Sequence, residues 1–92
     1  MTDSTQARRV LENLEVLAGK LGVQVVYGNL RGDEPPAEGG LCKVKGEYKI
    51  FLDRKEGTEG RIRILARALS SFNLDGIYLL PQIREILEKA RL

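Results

Sequence analysis

Residues 39–53 read GGLCKVKGEYKIFLD, and Gly46 splits an alternation of apolar and charged residues into two arms. Alternation with period two is the mark of a half-buried strand, and a glycine between two such arms predicts a hairpin. Cys42 and Val44 share one face of the first arm, and Tyr48, Ile50 and Leu52 share one face of the second. Burial requires the two apolar sets to meet. A three-residue loop, Val44 to Gly46, does this: it sets Cys42 opposite Tyr48 and Lys43 opposite Glu47, with Gly46 left-handed in a bulged turn. A two-residue loop would bring Lys43 or Lys49 to the apolar face and is disfavoured on that ground. Cys42 is then expected inside, packed against Tyr48 or Ile50.

The hairpin commits part of the chain to a sheet, and the flanking sequence supplies the layer that covers it. In residues 4–22, Val10, Leu14, Leu17 and Leu21 recur at helical spacing with Leu11 and Ala18 beside them. Ser4 or Thr5 can cap the start of this helix, and Gly22 can end it in the left-handed conformation. Val23, Val25 and Tyr27 then alternate as a strand that Gly28 closes. Residues 29–40, NLRGDEPPAEGG, hold two prolines, three glycines and four charges and read as a flexible loop. After the hairpin, Thr58 is the expected N-cap of a helix carrying Ile62, Leu65, Leu69 and Phe72 on one stripe, broken near Asn73. Pro81 suits the first position of a third helix with Ile83, Ile86, Leu87 and Ala90 inside. The expectation is a single α+β domain over residues 1–92, a three-stranded sheet of one strand plus a hairpin packed with three helices in the order αβββαα, with residues 1–3 disordered.

Composition bears mainly on which chemistries are open to such a domain. Hydrophobic residues make up 42% and charged residues 30% of the 92, as in ordinary water-soluble proteins. No apolar run approaches the roughly 20 residues of a membrane span, and no signal-like segment opens the chain, so no membrane association and a cytoplasmic location are expected. The single cysteine cannot form an internal disulfide. There is no histidine, which removes Ser-His-Asp and Cys-His machinery and every histidine-containing zinc site within one chain.

The remaining candidates are weak as chemistry. A reactive Cys42 needs a cation, a helix N-terminus or a base beside it, and Lys43 projects to the other face of the strand. GTEG, residues 57–60, has the spacing of the glycine loop of KH domains but follows a strand and carries Glu59 where a phosphate would sit, so initiation of a helix is the better reading. The carboxylates Asp53 and Glu56, or Glu85 and Glu88, are spaced for a turn or a helix face with nothing to gather them around a pocket. Lys43, Lys45, Lys49, Arg61, Arg63 and Arg67 could form an anionic-partner surface if the outer hairpin face and the second helix lie side by side. Val26, Leu41 and Phe51 are expected on the sheet face opposite Cys42, Tyr48 and Ile50, where they would serve self-association.

Two resemblances add to this reading. The hairpin GGLCKVKGEYKIFLD and the later RIRILARALSSFNLDGIYLLPQIREIL resemble a group of short uncharacterised bacterial proteins that share a GG-x-C-x-V-K-G hairpin and an I-Y-x-x-P-x-x-R-E-x-L ending; no activity follows from it. More distantly, the helix, strand, GG-led hairpin and L-A-rich helix are similar to the core of zinc metallopeptidases of the zincin type. In that family the helix after the hairpin carries H-E-x-x-H, which here would fall on Arg67, Ala68, Leu69, Ser70 and Ser71. The resemblance implies a scaffold without ligands or base. The sequence-level expectation is a non-enzymatic interaction module, a homodimer with no catalytic residues, no metal and no cofactor, and weak nucleic-acid or anionic-partner binding as the alternative.

Overall fold

The computed structural model describes residues 5–28 and 40–91. The expected disorder at residues 1–3 lies outside the described residues, as does the loop expected at 29–40 apart from Gly40. Six elements follow in the order α1 (Thr5–Lys20), β1 (Gln24–Gly28), β2 (Leu41–Val44), β3 (Glu47–Asp53), α2 (Thr58–Leu69) and α3 (Pro81–Arg91). The fold is α+β, with three helices and a three-stranded mixed sheet as the periodicities predict. No described helix is long and apolar enough to cross a membrane.

Local signals set the element ends. Gly22, at φ +78°, lets α1 close with two reverse bonds: its own N–H donates to the Gly19 carbonyl at 3.1 Å, and that of Val23 to the Ala18 carbonyl at 2.8 Å. Gly57, not Thr58, is the N-cap of α2, and Thr58 is its first helical residue. This helix also ends earlier than the Phe72 stripe suggests. The Ser70 hydroxyl donates to the Arg67 carbonyl and that of Ser71 to the Ala68 carbonyl, each at 2.8 Å, so both serines take up carbonyls of the final turn. Pro81 does open α3.

In the sheet, β3 lies between β1, parallel to it, and β2, antiparallel to it. The hairpin register differs from the expected one. Leu41 pairs with Ile50, Cys42 with Lys49, Lys43 with Tyr48 and Val44 with Glu47, leaving a two-residue turn, Lys45–Gly46. Both turn residues have positive φ, 52° and 84°. Such a turn matches the right-handed twist of its strands, whereas the expected loop is one residue longer. That single residue inverts one arm: Leu41 now shares a face with Ile50 and Leu52, and Cys42 and Val44 turn to the other. The lysine that this register brings to the helix side is accommodated at the hairpin tip. Lys43 stays exposed there, with its ammonium 5.2 Å from the Tyr48 ring centroid.

One side of the sheet carries the core. Leu14, Ile50, Leu52, Leu65, Leu69 and Leu87 are fully buried and belong to one cluster with Val10, Leu17, Val23 and Ile83. Each such leucine or isoleucine contributes roughly 1.5–3 kcal/mol by leaving water. Helices α1 and α2 pack on each other and reach the sheet, while α3 packs on α2 and, less extensively, on α1. All three helices therefore serve the Ile50 and Leu52 face.

Candidate functional site

The alternation that buries Ile50 and Leu52 directs Lys49 and Phe51 to the opposite face. On β1, Val26 is the parallel partner of Phe51, and on β2, Cys42 is the partner of Lys49. Val26, Cys42, Val44 and Phe51 thus form an apolar face spanning all three strands. They are half-buried and stand outside the apolar cluster that the helices enclose. No helix among the described residues covers them. Gln24, Glu47, Lys49 and Asp53 surround this face with both signs of charge.

Two of the three residues expected here are in place. Val26 and Phe51 sit side by side, whereas Leu41 belongs to the opposite face, paired with Ile50 and packed against the core. Cys42 and Val44 take its position. The two-residue turn is the physical reason for both changes, and it also removes Cys42 from the core position beside Tyr48 or Ile50. The thiol is free and half-buried, on the sheet face away from the helices, with Lys49 across from it. With no histidine in the chain, nothing of that type stands by to shuttle its proton.

The six basic residues do not gather on one surface. Lys49 points to the face away from the helices, Lys43 to the helix side at the hairpin tip, and Lys45 occupies the turn. Arg63 and Arg67 are exposed on α2, which packs against the other side of the sheet. Arg67 lines a shallow hollow of about 350 Å³ with Ser70, Ser71 and Arg91. Both hydroxyl protons there are committed to helix carbonyls, and arginines in the last turns of α2 and α3 complement the negative ends of those helices.

Arg61 has a different environment, which the sequence pattern does not reveal. Its guanidinium carbon lies 4.8 Å from the Tyr27 ring centroid, and its Nη2 donates to the Arg54 carbonyl at 3.1 Å. Its Nε is buried without a hydrogen-bond partner. The Tyr27 hydroxyl donates to the Glu15 carboxylate. Burial, then the hydrogen bond to Glu15 and its charge, push the Tyr27 phenol up to about 12, against a smaller opposing pull from Arg61. A phenol held protonated through neutral pH is no general base. The cluster instead ties α1, β1 and α2 together.

Close approach rather than ligand binding marks two glycines, and only at Gly40 is the neighbour rigid backbone. A Cβ on Gly60 would run into the Glu56 side chain, its Cδ at 3.0 Å, so a carboxylate already occupies the ground over the first turn of α2. That is unfavourable for phosphate. Gly40, at φ +65°, lies so close to the Phe51 backbone that a Cβ would collide with its carbonyl oxygen. The Phe51 N–H donates to the Gly40 carbonyl at 2.9 Å. Gly40 is thus a tight contact in the sheet rather than a flexible lead-in. Of the carboxylates, Asp53 accepts from the Lys55 N–H at 2.9 Å and Glu85 pairs with Lys89 at 3.9 Å.

No protein-family model, curated protein or solved structure matches this chain. The likeness to the short bacterial proteins and to the zincin core therefore rests on the quoted residues alone.

Proposed function

We propose that this protein is a non-enzymatic interaction module that self-associates through the face of its sheet opposite the helices. The observation that carries the reading is the apolar row Val26, Phe51, Cys42 and Val44 on the face away from the helices. A two-fold pairing of copies can set Lys49 of one against Glu47 or Asp53 of the other, so the charges at this face are self-complementary. Size limits the affinity. Three strands about 4.8 Å apart and seven residues at about 3.3 Å each span roughly 14 by 23 Å, well below the about 800 Å² per partner of a standard interface. A weak, concentration-dependent homodimer is the expectation. A cytoplasmic location suits a free, half-buried thiol, which an oxidising compartment would leave open to intermolecular disulfides.

Sedimentation velocity from about 10 μM to about 500 μM, under reducing conditions, tests this. The wild type should shift toward a dimer over that range, and Phe51→Glu should remain monomeric with an unchanged circular dichroism spectrum. A wild type that stays monomeric throughout refutes self-association.

The alternative, weak binding of nucleic acid or another anionic partner, draws on the hairpin tip. Tyr48 is 39% exposed, meets Phe72 edge-on at 5.2 Å and has Lys43 over its ring, an aromatic and cationic pair of the kind that bases stack on. Titration with a single-stranded oligonucleotide at low and moderate salt distinguishes it; no salt-sensitive binding eliminates it.

A further inference from the structure

We propose that the groove between α1 and the segment leading into α3 is a docking site for an acidic, amphipathic peptide segment of a partner protein. Val16, Tyr48, Tyr78 and Leu80 are the large apolar side chains left exposed among the described residues, at 57%, 39%, 75% and 46%. Three of these four, all but Tyr48, line this one groove. Its floor is apolar as well: Leu17 and Ile83 are core residues and Leu79 packs against them. Asn13 and Lys20 complete the lining.

Dimensions and charge define the occupant. The groove holds about 120 Å³, comparable with the roughly 150 Å³ cavities that take up a benzene-sized molecule, so it seats one large apolar side chain. Along α1 it extends from Asn13 to Lys20, about 10 Å or two helical turns at 1.5 Å per residue. A short helix that seats one apolar anchor in the groove and lays a second, one turn away, along the exposed Val16 and Leu80 fits that length. Among the described residues, Lys20 is the one charged residue of the lining. Glu12 is not part of it, and Glu15 accepts from Tyr27 elsewhere. An apolar anchor flanked by carboxylates would pair with Lys20, while flanking lysines would be repelled. The groove is built from α1 and α3, across the sheet from Phe51, so it is independent of the self-association face.

Fluorescence polarisation with a fluorescein-labelled amphipathic peptide tests the proposal. Two of its leucines stand four positions apart with glutamates around them, and a twin peptide has lysine in place of every glutamate. The wild type should bind the glutamate peptide at least about threefold more tightly than its twin, and Lys20→Glu should reverse that preference. Val16→Glu, at a position already more than half exposed, should keep the fold and weaken the glutamate peptide at least about tenfold. Phe51→Glu should leave binding unchanged. Absence of binding by the glutamate peptide, equal affinity for the two peptides, or binding indifferent to Val16→Glu overturns the proposal. Loss of a wild-type dimer in Val16→Glu would assign the groove to a second copy of this chain and overturn it equally.

Discussion

Replacing Tyr27 by phenylalanine removes one hydroxyl and leaves the ring under Arg61 in place. The phenol is pushed from its ordinary value of 10.0 up to about 12, with burial the first cause and the Glu15 carboxylate the next. Because the folded chain holds this proton to higher pH than the unfolded one, the stabilisation is fully present below about pH 10 and is lost as pH rises toward 12. Two pH units correspond to about 2.7 kcal/mol between the protonated and ionised forms at 1.36 kcal/mol each. Burial, the first cause, penalises the phenolate without stabilising the phenol, so what Tyr27→Phe loses at neutral pH is the hydrogen bond to Glu15. Such a bond to a charged acceptor is worth about 1.5–3 kcal/mol when well buried and about 1–2 kcal/mol at this half-buried, water-screened site. Urea unfolding at pH 8 should therefore find Tyr27→Phe about 1–2 kcal/mol less stable than the wild type, with a Tm lower by about 5–15 °C. At about pH 11.5 the gap should have largely closed, because most of the pH-dependent term is gone by then. Groups common to both proteins cancel in the comparison. A gap that is absent at pH 8, or equally large at both pH values, would refute the linkage of Tyr27 to Glu15.

Three further outcomes check the hairpin. Gly40→Ala should cost about 2–4 kcal/mol in urea unfolding, since a left-handed residue and a collision with the Phe51 carbonyl arise together. Lys45→Asn should stabilise by about 0.5–1 kcal/mol, because Asn tolerates the φ of 52° that lysine adopts here and Asn-Gly is the favoured pair for a two-residue turn. Cys42 should react with a thiol reagent in the native protein without denaturant, and Cys42→Ser should change stability by less than about 1 kcal/mol. Labelling that requires unfolding would restore the three-residue loop and the buried cysteine.

The helices and the order of elements follow from local sequence because their causes are local. Val10, Leu14 and Leu17 repeat at helical spacing whatever lies opposite them, Gly22 ends α1 through its own φ, and Pro81 opens α3 through its fixed backbone and absent donor. The end of α2 is less legible, since Leu69 and Phe72 continue the stripe while two adjacent serines stop the helix through side-chain bonds to carbonyls only three residues away. Faces of the sheet are another matter. An alternating strand is apolar on either face if a residue is miscounted, and Cys42, Val44 and Leu41 satisfy both counts nearly equally.

What the sequence determined by itself is the set of elements, their order and the absence of histidine chemistry, all properties of short windows or of composition. Only the tertiary structure decided which face of the hairpin meets the helices, which strand lies in the centre, and where isolated surface residues converge. The twist of the two-residue turn selected the register and moved Cys42 out of the core. The packing of α1 against the approach to α3 brought Val16 within one groove of Leu80, sixty-four positions apart in the chain. Glu15, Tyr27 and Arg61 met by the same cause: neighbours in space that no period in the sequence connects.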